Sequence, residues 1–154
     1  MYSLRLATKD DIPQLAELRI EFIKEVRLEY PQEKIDEYRE VMCNYLEKEM
    51  SSGNFIAWLA IANNEIIATS GLITIQRVPQ FWNMNGKEAY IMNMYTKPEW
   101  RNKGIGTAIL EKLVDEAKNR DIIAIKLYAT SMGNPLYEKR GFKVGQPEMH
   151  LYLE

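Results

Sequence analysis

The stretch from Tyr90 to Gly106, YIMNMYTKPEWRNKGIG, constrains the fold of this chain more than any other. It begins as an apolar strand that ends at Thr96, is interrupted at Pro98, and opens a helix at Gly104. Backbone N–H groups at the start of a helix lack partners within the helix and carry the positive end of its dipole. Glycine lets an anion approach the backbone without meeting a Cβ atom. The stretch therefore predicts an anion site, such as a phosphate site, where the strand gives way to the helix.

The side chains and glycine spacing of this turn narrow the type of anion site. Arg101 and Lys103 add positive charge, and an arginine can bind a phosphate through two parallel hydrogen bonds. A dinucleotide-type GxGxxG would need glycine where Ile109 stands, and GxxxxGK[ST] is absent. We expect Arg101 to support either the loop or the phosphate. The expected donors to a diphosphate are the backbone amides of Asn102, Lys103, Gly104, Ile105, Gly106 and Thr107. The alternative is an ordinary helix start whose glycines permit tight packing.

Two motifs in this chain occur together in one known family. Residues 101–106, RNKGIG, follow the pattern Gln/Arg-x-x-Gly-x-Gly/Ala, and residues 136–142 read LYEKRGF. Together they resemble the acyl-CoA-binding signature and the later tyrosine element of the GCN5-related N-acetyltransferases, the GNAT family. The resemblance extends over nearly the whole chain in the order of its elements.

The apolar periodicity predicts a mixed α/β (α+β) chain. Asn63 and Asn64 suit a tight hairpin turn, because asparagine tolerates positive φ. Strands are predicted at residues 3–7, 55–62, 65–75, 90–96 and 122–129, with closing strands at 143–144 and 149–153. Helices are predicted from residue 12 toward Pro31, and at 34–50, 105–119 and 133–139. The resemblance implies a GNAT-like, mostly antiparallel sheet with helices on both faces, formed by residues 1–154 as one domain.

The resemblance also assigns roles to the strand that precedes the turn. The pantetheine arm of acetyl-CoA, the expected acyl donor, would lie along it, against Met94, Tyr95 and Thr96. An amide near the strand end would receive the thioester carbonyl and stabilise its developing negative charge. The alternative for the methionines is flexible core packing, which is compatible because the proposed contacts use the backbone.

Tyr137 is the catalytic candidate that the second motif implies. It would donate a proton to the departing CoA thiolate, since a phenol of pKa about 10 is protonated at neutral pH and a thiol has a pKa of about 8.5. The alternative is a tyrosine that closes a short helix against the sheet. Many family members carry Asn and Ala where this chain has Thr130 and Gly133, so we expect Asn134 or Ser131 to replace the usual asparagine contact.

A general base is not identified from the sequence. An alkyl ammonium of pKa about 10.4 must lose a proton before it attacks. The central strand offers Tyr90 and Asn93, and neither is a base at neutral pH. We therefore include Asn93 as a catalytic candidate that orients a water molecule, with a satisfied polar residue within the sheet as the alternative.

Two further features bear on the acceptor. A row of glutamates is spaced four apart on the first helix, and we interpret it as a solvated outer face, with attraction of a cationic amine as the alternative: Glu17, Glu21, Glu25 and Glu29. The loop at residues 78–86 carries Phe81 and Trp82, which suit an acceptor wall, a dimer contact or simple packing. This loop is where we expect substrate selectivity.

Composition limits the other classes of function. A net charge of −2 gives no support for nucleic-acid binding, and no apolar run approaches the ~20 residues that span a bilayer. The N-terminus does not have the pattern of a secretory signal. A lone Cys43 cannot form an internal disulfide, and one histidine with one cysteine argues against structural zinc. We therefore expect a cytoplasmic protein without membrane, nucleic-acid or metal partners.

The combined expectation is an N-acetyltransferase that moves the acetyl group of acetyl-CoA directly to a primary amine in a ternary complex. A small-molecule amine is favoured because the chain shows no appended peptide-recognition domain. One alternative is a non-catalytic acyl-CoA-binding or regulatory module. Another is an enzyme that acts on a protein or peptide amine, or that uses a longer acyl donor. By analogy with such folds, a homodimer is also expected.

Overall fold

A computed structural model describes residues 1–26 and 29–153. Its central element is a five-stranded sheet with the order β1-β2-β3-β4-β5. The strands are β1 (Ser3–Leu6), β2 (Phe55–Ala62), β3 (Glu65–Gln76), β4 (Lys87–Thr96) and β5 (Ile125–Lys126). The helices are α1 (Ile12–Val26), α2 (Gln32–Ser51), α3 (Ile105–Asn119) and α4 (Asn134–Lys139), with short 3₁₀ turns at Lys9–Asp11 and Pro98–Trp100.

The sheet is mixed, with one parallel pair. Strands β1 to β4 pair antiparallel with their neighbours, and β5 runs parallel to β4. The β2–β3 hairpin turns at Asn63 and Asn64, whose φ angles are 51° and 61°. Two successive positive φ angles match the right-handed twist of the flanking strands. The predicted mixed, mostly antiparallel sheet and its hairpin are confirmed.

Helices cover both faces of the sheet. Helix α3 buries Ile109, Leu110 and Leu113 against one face, and α1 and α2 bury residues such as Leu18 and Leu46 against the other. Full burial of one such side chain contributes about 1.5–3 kcal/mol to the free energy of unfolding, so the buried side chains of α1, α2 and α3 stabilise the packing of the helices on the sheet. Among the described residues, no helix combines the length and apolar character needed to cross a bilayer. The predicted GNAT-like layering is confirmed.

A β-bulge interrupts the pairing of β4 with β3. Tyr95 lies opposite Thr69 and Met92 lies opposite Gly71, so Asn93 and Met94 together face the single residue between them on β3. Asn93 has φ of 58°, which asparagine adopts more readily than most residues. A bulge bends its strand. β5 pairs with β4 only before this point.

The carboxyl-terminal part of the predicted sheet is wrong. Residues 122–129 were expected as a strand, but only Ile125 and Lys126 pair, opposite Ala89 and Tyr90. The predicted closing strands at 143–144 and 149–153 are not formed by the described residues. Local alternation of apolar residues favours a strand, but a strand forms only where a neighbouring backbone supplies the hydrogen bonds.

Candidate active site

The glycine turn joins β4 to α3 through two left-handed residues. Asn102 has φ of 60° and Gly104, at the N-cap of α3, has φ of 76°. A Cβ atom built on Gly104 would meet no atom within 4 Å. Glycine is therefore favoured here by the backbone conformation rather than by crowding, and the surface above the residue is open.

The amides of this turn lack partners within the protein. The Arg101 amide donates to the Pro98 carbonyl at 3.3 Å, and the next backbone bond runs from the Ala108 amide to the Gly104 carbonyl at 3.0 Å. Between them, the amides of residues 102–107 have no acceptor among the residues that the structure describes. Unpaired N–H groups at the positive end of a helix dipole suit an anion.

The Arg101 side chain turns back toward the body of the protein. Its Nε donates to the Thr96 carbonyl at 2.8 Å, and its NH2 group donates to Glu25 Oε2 at 2.7 Å. The guanidinium also lies 5.6 Å from the centre of the Tyr95 ring. Of the two expected roles, the structure places Arg101 in support of the loop. The exposed Lys103, whose Nζ lies 4.8 Å from the Trp100 ring centre, is the cation on the turn surface.

Glu25 is a site residue that the sequence interpretation missed. Its Oε1 accepts a hydrogen bond of 3.0 Å from the Tyr95 hydroxyl, while Oε2 holds Arg101. Burial and this carboxylate raise the pKa of Tyr95. The glutamate row is at least partly exposed, as interpreted, but two of its members also form ion pairs: Glu25 with Arg101 and Glu17 with Arg39. The unfavourable spacing of like charges was the signal that these residues have partners elsewhere.

The open edge of β4 lies beside the turn. The Lys97 amide donates to the Ile67 carbonyl of β3, and the alternation of an antiparallel ladder then turns the amides of Met94 and Thr96 away from β3. Past Tyr90, this edge has no ladder partner in the described part of the chain. Of the three expected contacts, Met94 and Thr96 lie on the open edge. Tyr95 packs instead in the α1 and α2 layer.

Tyr137 lies in α4 and is almost fully buried in the α3 layer. It is 6% exposed and its ring meets Phe142 edge-on at 5.8 Å. Burial raises the pKa of Tyr137 to about 12, and no described residue hydrogen-bonds its hydroxyl. The phenol is therefore protonated at neutral pH. Gly133 makes room for it, because a Cβ atom there would lie 2.9 Å from Tyr137 Cε2.

Thr130 takes a structural place at the start of α4. Its carbonyl accepts from the amides of Gly133 and Asn134, each at 3.0 Å, and its hydroxyl lies 3.3 Å from the Gly133 amide. Asn134 and Ser131 are both exposed beside this turn. Which of these two side chains takes the place of the usual family asparagine stays a prediction.

The bulge places Asn93 between the turn and the rest of β4. Its side chain is half-buried and forms no hydrogen bond with the described residues. Tyr90, three residues earlier, packs edge-on against Tyr128 at 5.7 Å. Burial is the main cause that raises the pKa of Tyr90, so its phenol is not a base near neutral pH.

The mixed sheet, the bulged β4 and the glycine turn define an acetyltransferase fold. A model of the Acetyltransferase (GNAT) family matches residues 16–142, which is most of the chain, and the chain therefore belongs to this family. The predicted family is confirmed.

Two solved structures agree with this membership, and one curated protein is similar over part of the chain. A predicted acetyltransferase from Clostridium acetobutylicum, solved with acetyl-CoA, is 33% identical with a TM-score of 0.90, covering 99% of this chain and 96% of that one. A GCN5-related N-acetyltransferase from Ralstonia eutropha JMP134 is 25% identical with a TM-score of 0.88, covering 99% of both chains. The Cysteine-rich protein 2-binding protein of Homo sapiens is 32% identical over 65 residues, which are 42% of this chain and 8% of that protein.

Proposed function

We propose that the protein is a single-domain N-acetyltransferase that moves the acetyl group of acetyl-CoA to a primary amine of a small molecule. The observation that carries the proposal is the run of unpaired amides at residues 102–107, next to the open edge of β4. An extended donor that ends in a diphosphate matches both features. The Clostridium relative, which was solved with acetyl-CoA, supports this choice of donor.

The proposed donor site uses the backbone for most of its contacts. The diphosphate would accept hydrogen bonds from the amides of residues 102–107, with Lys103 adding charge at the surface. The pantetheine arm would lie along the Met94 and Thr96 edge. Arg101 would act indirectly, since its guanidinium is engaged by Thr96 and Glu25. Asn134, exposed at the start of α4, would contact the donor from the other side.

The proposed reaction is a direct acyl transfer. The neutral amine attacks the thioester carbonyl carbon, a C–N bond forms, and the carbonyl oxygen gains negative charge that the Met94 amide stabilises. The C–S bond then breaks, and Tyr137 gives its proton to the departing sulfur. The amine loses its proton to a water that Asn93 orients. Because the two reactants bind side by side, positioning supplies much of the acceleration.

An open depression beside the start of β4 supports the choice of a small acceptor. It has a volume of about 360 Å³ and is lined by loop residues together with a buried carboxylate: Arg77, Val78, Gln80, Trp82, Asn83, Glu88 and Lys126. Glu88 Oε2 lies 3.0 Å from Lys126 Nζ. A depression of this volume suits a small ligand, and the loop that lines it is where selectivity was expected.

A thiol-release assay tests the proposal. The protein is incubated with acetyl-CoA and a panel of polyamines, aminoglycosides, amino acids and peptides, and free CoA thiol is measured. Turnover with at least one small amine supports the proposal. Turnover with peptides alone would assign a protein or peptide acceptor instead. Binding of acetyl-CoA in a thermal-shift measurement without turnover on any amine would favour the non-catalytic binding module.

A further inference from the structure

One half-buried arginine of α1 has no acid partner. Each of the other arginines that the structure describes bonds to a carboxylate or to a backbone carbonyl: Arg5, Arg39, Arg77, Arg101, Arg120 and Arg140. Arg19 makes neither contact with a described residue. Its Nε donates to the Tyr38 hydroxyl at 3.4 Å, and its two Nη groups have no acceptor in the described part of the chain. Such a guanidinium is costly, because its donors lose part of their water without gaining partners.

Two neighbouring rings fix the orientation of this guanidinium. The Tyr38 hydroxyl accepts from Arg19 and itself donates to Met42 Sδ at 3.8 Å, which anchors it on α2. On α1, the Arg19 guanidinium lies 5.3 Å from the centre of the Phe22 ring. The hydrogen bond to Tyr38 does not use the two Nη groups. These groups form the end of the guanidinium that binds a carboxylate or a phosphate through two parallel hydrogen bonds.

Arg19 lies beside the strand that is proposed to hold the thioester. The Phe22 ring packs edge-on against Tyr95 with the ring centres 6.3 Å apart, and both rings belong to the same layer as Met92. Burial raises the pKa of Tyr90, whereas the nearby positive charge of Arg19 acts to lower it. The guanidinium is therefore close to the middle of β4, on the face that α1 covers and next to the bulge.

Other cations on this side of the molecule already have carboxylate partners. In the depression beside the start of β4, Glu88 Oε2 lies 3.0 Å from Lys126 Nζ and 3.5 Å from Arg77 Nε. On α2, Arg39 pairs with Glu17 of α1. The α1 guanidinium differs from these cations, because no carboxylate of the described residues neutralises it.

We propose that the acceptor carries an acid group, a carboxylate or a phosphate, and that the Nη groups of Arg19 bind this group while the amine lies at the thioester. The inference rests on the proposed acetyl transfer and narrows its acceptor to amines that also carry an oxyanion. The acid group would supply the partner that the guanidinium lacks and would orient the amine. An amine without an acid group leaves the Nη groups unpaired, so it should be a poorer substrate.

The first test compares acids with neutral counterparts of the same length. In the thiol-release assay, glycine, β-alanine and γ-aminobutyrate are each paired with their carboxamide, and ethanolamine phosphate is paired with ethanolamine. After correction for the fraction of neutral amine, we expect the best acid to exceed its counterpart in kcat/KM by about 10-fold or more. The pair with the larger ratio assigns a carboxylate or a phosphate. Turnover with equal kcat/KM in every pair overturns the proposal and leaves acetyl transfer intact.

Arg19→Gln removes the proposed contact, and Arg39→Gln is the matched control. Both variants lose a positive charge on neighbouring helices, but Arg39 is already engaged by Glu17 and Asp36. In Arg19→Gln, we expect the KM of the acid to rise about 10-fold or more, with its kcat and the KM of the neutral counterpart within about two-fold. Arg19→Lys keeps the charge without the paired donors and should recover only part of the preference. A preference that survives in Arg19→Gln, or an equal loss in Arg39→Gln, overturns the proposal.

Calorimetry separates this proposal from acetyl transfer itself. The same acids and neutral counterparts are titrated into protein saturated with CoA, a complex that has no acetyl group to transfer. Tighter binding of an acid to the wild type, lost in Arg19→Gln, supports the acid site even where no amine is turned over, and the transferase proposal alone then fails. If no acid binds more tightly than its neutral counterpart, the proposal is overturned. The comparison within the wild type decides even if circular dichroism shows that Arg19→Gln is unfolded.

Discussion

Glu25 and Arg101 form an ion pair of 2.7 Å that ties the end of α1 to the glycine turn. The other carboxylate oxygen of Glu25 accepts a hydrogen bond from the Tyr95 hydroxyl, so one carboxylate connects the helix, the central strand and the turn. The Nε of Arg101 in turn donates a hydrogen bond to the Thr96 carbonyl. The conformation of the proposed diphosphate site therefore depends on a helix that is remote in sequence.

Replacing Glu25 should weaken donor binding without slowing the chemistry. In Glu25→Gln, Arg101 loses its charged partner, and we expect the KM for acetyl-CoA to rise about two- to five-fold, as is typical of a partly exposed pair. We expect kcat to stay unchanged, because Glu25 does not touch the reacting atoms. Steady-state kinetics and calorimetry measure both. Glu21→Gln, one turn earlier and exposed, is the control, and an equal effect in both variants would contradict a specific role for Glu25.

Gly104→Ala should lower both the stability of the protein and its affinity for acetyl-CoA. A residue with a side chain at φ of 76° costs about 1–2 kcal/mol, and relaxation of that strain would re-aim the free amides. We expect a lower melting temperature and an acetyl-CoA affinity reduced by about 10-fold or more. Gly53→Ala is a matched control, since Gly53 has φ of 77° and equally open surroundings. It should lose stability alone, and a similar loss of affinity there would argue against the amide site.

Tyr137→Phe removes the proposed acid while it keeps the ring. Because no described residue bonds the hydroxyl, stability should change little. We expect kcat to fall by about 100-fold or more, with the dissociation constant of acetyl-CoA within about two-fold. Tyr45→Phe on α2 controls for loss of a hydroxyl far from the turn. Normal turnover in Tyr137→Phe would leave the tyrosine with a packing role only.

Gly133→Ala tests the position of the same tyrosine. The added Cβ atom would lie 2.9 Å from Tyr137 Cε2, so the ring must shift. We expect kcat to fall about 10-fold, because a displaced acid transfers its proton less well. Gly145→Ala, where a Cβ atom meets nothing within 4 Å, is the control. A crystal structure of Gly133→Ala with an unmoved ring and full activity would contradict this account.

The pH profile should show a rising limb and no fall due to Tyr137 in the ordinary alkaline range. The amine must be neutral to attack, so kcat/KM should rise toward the pKa of the acceptor, about 10.4 for an alkyl amine. Burial disfavours the phenolate and raises the pKa of Tyr137 to about 12, so the acid stays protonated throughout this rise. A descending limb centred near pH 10, absent in Tyr137→Phe, would contradict the raised pKa.

The same pKa has a consequence for stability. The folded chain holds the Tyr137 proton more tightly than the unfolded chain, in which the phenol has a pKa of about 10. The stabilisation is complete below about pH 10 and is lost as the pH rises toward 12. Denaturant titrations of the wild type and Tyr137→Phe should therefore diverge only above about pH 10.

Local patterns predicted much of this fold. The Asn63-Asn64 turn, the apolar stripe of α3 and the Gly104 turn each depend on residues close in sequence, where spacing and backbone preference decide the outcome. The two-motif resemblance then supplied the family. Tyr137 and the amides of residues 102–107 were named from these motifs, and their roles are still predictions.

Long-range relationships were not predictable in the same way. Glu25 meets Tyr95 across 70 positions, and neither residue has a local pattern that reveals the other. The only sequence feature that pointed to the bulge was an asparagine within the strand. Because a regular strand can also contain a polar residue, Asn93 alone did not predict a bulge. The carboxyl-terminal strands were predicted from local alternation alone, but pairing needs a neighbouring backbone, and none among the described residues pairs with 143–144 or 149–153.

The bulge at Asn93 decides which layer each later side chain of β4 enters. Before it, Ile91 belongs with α3 and Met92 with α1 and α2, whereas after it Met94 belongs with α3 and Tyr95 with α1 and α2. If the same residues formed a regular pleat without the bulge, Tyr95 would lie on the α3 side with Ile91 and would point away from Glu25. Deleting Asn93 would therefore leave Met92, Met94 and Tyr95 in their present layers as a regular strand, whereas straightening the strand at its present length would exchange Met94 and Tyr95 between the two layers.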